Sequence, residues 1–189
     1  MLKSGLNNLW PTPFYKGDIN NEYLDNAVNS ILQEIDIDNP GVQSQRFDIL
    51  QDGPGQVIEF RDKVVWPAFE TYLKEIGIDI KSFPNRWIRS WITGTRNGYM
   101  IPVHNLNGAS VSAVFYLMCE DKDKGGELIA VDPRTNANRG YKDEFKSLFA
   151  NLTYEPKSGE YVMFPSYLYH HTTVFKGTLR LAMPVDLFL

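Results

Sequence analysis

Downstream of Pro84 the chain changes texture, and that change limits the folds open to it. Short apolar or alternating runs follow one another at residues 86–93, 99–104, 110–118, 127–131, 161–164, 172–175 and 179–189. Gly94, Asn97-Gly98, Asn107-Gly108, Gly125-Gly126, Ser158-Gly159 and Gly177 separate them, and such residues are where strands reverse. Upstream the period is helical. Over residues 21–35, Leu24, Val28, Ile31, Leu32 and Ile35 recur on one stripe behind Asn20 or Asn21 as N-cap. Over residues 57–76 a second stripe comprises Phe60, Val64, Val65, Ala68, Phe69, Tyr72, Leu73 and Ile76, with Gly77 as the C′ residue and Pro67 as an expected kink. Two helices followed by about seven short strands predict a mainly β fold. A barrel or double-sheet jelly roll with the N-terminal helices packed outside satisfies that order.

At 189 residues the expectation is one domain, with residues 1–83 as helical support and 84–189 as the β core. A net charge of −4 without a dense Lys/Arg stripe argues against nucleic acid or an anionic membrane as partner. The longest nearly apolar run, residues 111–119, falls far short of the roughly 20 residues that cross a bilayer. A lone Cys119 excludes an internal disulfide and fits a reducing compartment, so a soluble cytoplasmic protein is expected. Asp52-Gly53-Pro54-Gly55 reads as a turn; it lacks the Gly-Lys-Ser/Thr that a phosphate loop needs. Residues 132–151 form a longer insertion with a short helix expected at 144–149.

Chemistry-bearing residues are few. The three histidines are His104, His170 and His171. Alternation along a strand keeps His170 and His171 out of one cavity. Arg180 heads the last strand and shares its face with Ala182 and Pro184, so a buried guanidinium there requires an anionic partner. A metal between His104 and His170, with Arg180 held for a carboxylate, is the reading these residues offer.

Their context resembles a known family. Leu9-Trp10-Pro11-Thr12-Pro13, the segment from His104-Asn105-Leu106-Asn107-Gly108 to Tyr116-Leu117, Gly125-Gly126-Glu127-Leu128 with Asp132-Pro133-Arg134, Pro156-Lys157-Ser158-Gly159-Glu160, and Phe164-Pro165-Ser166 with Leu168, His170 and Arg180 carry it. Together they are similar to the iron(II)/2-oxoglutarate-dependent oxygenases, in particular a small bacterial and phage branch related to prolyl hydroxylases. The resemblance implies a cupin-like double-stranded β-helix that uses Fe(II) and 2-oxoglutarate. It implies His104 and His170 as metal ligands, Arg180 and Tyr116 as cosubstrate contacts, and no catalytic residue beyond the metal ligands. It implies hydroxylation of a small molecule or peptide, with release of succinate and CO2.

Two positions depart from the pattern. The carboxylate of the family's His-x-Asp/Glu is replaced by Leu106, which cannot ligate, and Ala182 stands where relatives often have Ser. Relatives with a small residue at the first position bind halide and halogenate, but leucine fills that space. Asn105, Asn107, Glu127 and Asp132 are the candidate oxygen ligands from shifted positions. Leu106 favours the alternative of a non-catalytic jelly-roll binding protein with a degenerate metal site. A different metal enzyme using the same two histidines is a third reading. Trp87, Trp91, Tyr99 and Tyr141 are candidates for the mouth of the site.

Overall fold

The last strand, β10 (Arg180–Phe188), is the spine of a computed structural model that describes residues 11–33, 42–43, 48–119, 124–134 and 151–189. β10 pairs antiparallel with β5 (Val111–Cys119) along one edge. On its other edge it pairs with β3 (Trp87–Ser90) and β4 (Thr93–Thr95). β8 (Glu160–Pro165) and β1 (Tyr15–Asp18) extend the sheet beyond β5, and β2 (Val42–Gln43) extends it beyond β4. A smaller sheet has the order β7 (Leu152–Tyr154), β6 (Leu128–Ala130), β9 (His170–Thr172). Two antiparallel sheets with helices on one outer face make the expected jelly roll.

Alternation sorts the side chains of the large sheet. Phe115, Leu117, Tyr161, Met163, Leu181, Met183, Val185 and Leu187 join one core with the helices. Tyr116, Val162, Phe164 and Ala182 turn the other way, onto Leu128 and Ala130 of the small sheet. Both faces are covered, which is why β5 and β10 read as nearly unbroken apolar runs.

The helices follow their sequence signals. α1 (Asn21–Leu32) starts where the Asn20 side chain accepts from Glu22 N–H at 3.1 Å, and it buries Leu24, Ala27 and Ile31. After the single turn α2 (Ile49–Asp52), the expected second helix divides into α3 (Gly55–Phe60), a π-helical turn (Arg61–Val65) and α4 (Trp66–Glu75). Pro67 therefore occupies the first turn of α4, where its missing N–H costs least. The wide turn before it absorbs the expected kink. Gly77 closes α4 with φ +81°: its N–H donates to Lys74 C=O at 3.0 Å, and Ile78 N–H donates to Leu73 C=O at 2.8 Å. Those two bonds form a Schellman cap.

Several boundaries differ from expectation. The run 86–93 divides into β3 and β4 around Trp91-Ile92, because on that edge β10 presents Pro184, which has no N–H to give. Trp91 N–H instead donates to Pro184 C=O at 3.2 Å. Residues 99–103 form no strand, and only His104 bridges to β9, which spans His170–Thr172 rather than 172–175. β1, β2 and β7 were not anticipated. A register shift opposite Leu181/Ala182 leaves Leu117 unpaired on β5 and places Cys119 beside Arg180. The expected helix at 144–149 and Tyr141 lie outside the described residues. No described helix is long and apolar enough to cross a membrane.

Glu160 ties β1 to the sheet interior. It pairs with Lys16 Nζ at 2.6 Å and accepts from the Tyr154 hydroxyl at 2.6 Å. Burial alone would raise its carboxyl, but the Lys16 and Tyr154 bonds outweigh burial and hold it below the ordinary value of 4.5. The unfolded chain then takes up the proton first, so this stabilisation is present above about pH 4.5 and is lost as pH falls through the folded value. Glu160→Gln is expected to cost about 1 kcal/mol near neutrality and to flatten the acid side of a stability–pH profile measured by denaturant unfolding. An acid limb as steep as that of the unmodified chain would exclude this role.

Candidate active site

His104 and His170 meet through their main chains. His104 N–H donates to His170 C=O at 2.9 Å and His170 N–H donates to His104 C=O at 2.8 Å. Residues opposed in this way carry their side chains on one face. The ring centroids lie 4.3 Å apart, with the planes inclined by 54°. Each Nδ1 faces the carbonyl oxygen two residues back, Pro102 at 2.8 Å for His104 and Leu168 at 2.9 Å for His170. A carbonyl only accepts, so each Nδ1 carries a proton, which leaves Nε2 as the nitrogen for any other partner. This is the tautomer a divalent transition metal needs, fixed by main chain. Burial lowers the His170 pKa to about 4, the Leu168 bond opposes that, and His104 adds to the lowering. Near pH 7 no proton has to leave His170 before a cation binds.

Arg180 enters the same cavity, 3% exposed. Nη1 donates to Gly126 C=O and the guanidinium lies 5.3 Å from the centre of the Phe175 ring. Nε has no hydrogen-bond partner among the described residues. Glycine suits position 126 because its φ is +76°, and a Cβ there would press on Arg180 Nη1. A cation so buried and so incompletely bonded has N–H donors left to offer an anion. Tyr116, one strand over on the same face, is buried and also lines the cavity.

Leu106 stands on the cavity wall, its N–H donating to Ser166 C=O at 3.1 Å. Behind that loop lies a buried polar chain. Arg89 pairs with Asp186 Oδ2 at 2.7 Å, and the Ser112 hydroxyl donates to Asp186 Oδ1 at 2.9 Å. Ser112 has then used its proton, so the bond to it at 2.8 Å is donated by the Ser166 hydroxyl. Burial pushes the Asp186 carboxyl up, and Arg89 and Ser112 oppose it. The chain holds Ser166, and through its carbonyl the Leu106 loop, at a set height beside His104.

The cavity encloses about 360 Å³ and is lined by His104, His170, Arg180, Tyr116 and Leu106 together. Trp91 and Tyr99 border it as anticipated, whereas Trp87 lies outside, stacked 4.0 Å from Phe188. His171, expected to face away, also borders it. Asn105, Asn107, Glu127 and Asp132 do not line the cavity: Glu127 bonds Thr173, and Asp132 pairs with Arg134. Among the described residues no three His, Cys, Asp or Glu side chains converge on a metal-sized gap. Thr93, Thr95 and Thr172, not anticipated as site residues, line the wall. The first two repeat at the strand period of two around Gly94, which is the signal that marks them in the sequence.

The sequence profile of the family described as "Putative 2OG-Fe(II) oxygenase" matches residues 89–186, just over half of the chain. No curated protein sequence matches. A prolyl-4-hydroxylase from Pseudomonas putida superposes with a TM-score of 0.61 at 14% identity, over 93% of this chain and 86% of that one. A viral collagen prolyl hydroxylase from Paramecium Bursaria Chlorella virus-1, solved as a 2OG complex, gives 0.60 at 12% identity, over 92% and 94%. A 2OG-Fe(II) oxygenase-family oxidoreductase from Burkholderia pseudomallei gives 0.50 at 12% identity, and this chain spans 58% of its length. At such identities the likeness is one of fold, the double-stranded β-helix.

Removing Arg89 would strand a buried carboxylate. Arg89→Met is expected to lower stability by about 2–4 kcal/mol, at the lower end because the arginine is partly exposed. Adding Asp186→Asn should recover part of that loss in denaturant unfolding. Strictly additive losses would show that the two side chains are not coupled.

Proposed function

This chain belongs to the 2OG-Fe(II) oxygenase family, and we propose that His104 and His170 hold the Fe(II), that Arg180 holds 2-oxoglutarate, and that the product is a hydroxylated substrate. The observation that carries this reading is the juxtaposition in one cavity of two imidazoles whose Nδ1 atoms are held by main-chain carbonyls and a buried guanidinium lacking a partner at Nε among the described residues. The donor set fits the metal as two nitrogens, and the orphaned Nε fits a carboxylate. When bound, Fe(II) and 2-oxoglutarate supply the oxidising chemistry, in which one oxygen atom enters a substrate C–H bond, the other enters succinate, and CO2 leaves.

The chain's own residues prepare that chemistry. The Pro102 and Leu168 carbonyls fix the imidazole tautomers before any cation arrives. The arginine takes the distal carboxylate of the cosubstrate at the closed end. Burial raises the Tyr116 phenol, with Arg180 opposing, so Tyr116 keeps its proton and can donate it in a hydrogen bond to the same carboxylate. Leu106 supplies no negative charge, so the dianion itself neutralises much of the metal's charge, and the affinities for metal and dianion should be strongly coupled. Trp91, Tyr99, Ile101, Pro102 and Pro184 give the rest of the wall an apolar character that suits an uncharged portion of a small molecule or peptide. A reducing cytoplasm accords with the single unpaired Cys119 and with iron kept ferrous.

A second reading, a non-catalytic jelly-roll binding protein, draws support from the lack of a third ligand among the described residues. Anaerobic addition of Fe(II) and 2-oxoglutarate separates the two. A weak visible metal-to-ligand charge-transfer band is expected, abolished by His104→Ala and by His170→Ala, with succinate formed once oxygen and a substrate are supplied. Leu106→Asp should tighten Fe(II) binding by about tenfold or more, because it restores an anionic oxygen donor. A wild-type chain that binds neither Fe(II) nor 2-oxoglutarate would leave only the second reading.

A further inference from the structure

We infer that Tyr154 is a redox-active residue: with Glu160 as its proton acceptor, it yields an electron across the Tyr116 ring to a one-electron oxidant in the cavity. This inference rests on the oxygenase reading, whose chemistry supplies the oxidant when no substrate consumes it. It gives the chain an outlet that spares the cavity wall.

The outlet runs through side chains from four strands. Tyr116 of β5 lines the cavity and is buried. The ring of Tyr154, on β7, lies 5.7 Å from the Tyr116 ring between centroids, inclined by 42°. Glu160 of β8 stands directly opposite Tyr116 in the ladder, so their side chains share a face. Tyr154 reaches Glu160 from the small sheet, its hydroxyl donating to Oε2 at 2.6 Å. Lys16 of β1 holds Oε1 at 2.6 Å, and its side chain is half exposed. Cavity, two phenol rings, a carboxylate and a solvent-facing ammonium follow one another in that order.

The pair is arranged for coupled loss of an electron and a proton. A phenol that loses an electron becomes a strong acid, so it is oxidised most easily where a base already takes its O–H. Glu160 is within proton-transfer reach, and the bond is as short as charge-assisted O–H···O⁻ bonds are. Lys16 and Tyr154 keep Glu160 ionised against the opposing effect of burial. Among the described residues no carboxylate takes the Tyr116 hydroxyl, and burial raises its phenol. Oxidation therefore comes to rest on Tyr154. The Tyr154 ring gives one electron to the cavity oxidant and its O–H proton goes to Glu160 Oε2. This leaves a neutral phenoxyl radical beside a neutral carboxylic acid, and the oxidant reduced by one electron. An external one-electron reductant of the ascorbate class returns the electron at the half-buried Tyr154, and Glu160 returns the proton.

The test uses the full chain with Fe(II) and 2-oxoglutarate, exposed to oxygen without added substrate and freeze-quenched. Electron paramagnetic resonance should show a tyrosyl radical that Tyr154→Phe abolishes. Tyr161→Phe should keep it, because Tyr161 packs on the helical side of the sheet. Glu160→Gln retains the phenol without the base and should lower the radical yield several-fold. In Tyr154→Phe, peptide mass spectrometry should find several-fold more oxygen added to Tyr116 and Trp91 of the cavity wall. Ascorbate should protect that wall in the wild-type chain and not in Tyr154→Phe. A merely structural Tyr154 predicts none of these changes. The iron-free chain, photo-oxidised by a ruthenium tris-bipyridine sensitiser, should give the same Tyr154-dependent signal, so slow turnover cannot hide it. Absence of that signal from both preparations would overturn the inference, and succinate formed alongside would leave the oxygenase reading standing. Unchanged wall oxidation in Tyr154→Phe would overturn it equally. A folded chain with neither the charge-transfer band nor succinate would overturn both. If Tyr154→Phe fails to fold, Glu160→Gln decides, and an undiminished radical in it would count against the assignment.

Discussion

The period of two along β10 is the constraint on which the rest depends. Four residues on one face, Leu181, Met183, Val185 and Leu187, are clamped against the helical layer. That clamp fixes the direction of the residues between them. Arg180 and Ala182 must then face the cavity, and Asp186 must reach the buried Ser112 and Arg89. A slip of one residue would send the cation into the helical core and the aliphatic residues into the cavity, so the apolar face enforces the polar one.

Burying a guanidinium with an unpartnered Nε is unfavourable, and β10 alone cannot hold it there. Gly126 C=O accepts from Nη1 and the ring of Phe175 packs against the guanidinium, and together they hold Arg180 in place. The two imidazoles show the same logic. Reciprocal main-chain bonds set their separation, and carbonyl oxygens at 2.8 and 2.9 Å set their tautomers. Among the described residues no hydrogen-bonding side chain orients either ring, and Phe164 packs edge-on against His170 at 4.9 Å between ring centres.

Much of this was legible in the residues, and what was not has physical reasons. Leu181, Met183 and Val185 announced a strand, and Gly77 announced the end of α4 through its need for a positive φ. His104, His170, Arg180 and Tyr116 do line one cavity. Three features required the folded chain. Pro184 interrupts a ladder on a strand far away in sequence, so the break between β3 and β4 has no local signal. β7 lies at the edge of a small sheet, is mostly exposed, and carries little apolar pattern. His171 borders the cavity despite its alternate position on β9, a placement that strand alternation does not predict.

Leu106 gathers these points into one consequence. A carboxylate there would sit beside His104 and make the cavity's fixed charge less positive. With leucine, no acidic side chain among the described residues lines the cavity while the Arg180 guanidinium does, so before any ligand arrives the lining is net positive. Such a chamber opposes a lone dication and attracts a dianion. The dianion in turn brings the negative oxygens that two imidazoles alone do not provide, so binding of each favours binding of the other. On the function proposed above, the leucine shifts the site from a preformed metal centre toward one assembled jointly by cation and cosubstrate. The burial and anchoring of Arg180 then matter more than the affinity of the histidines.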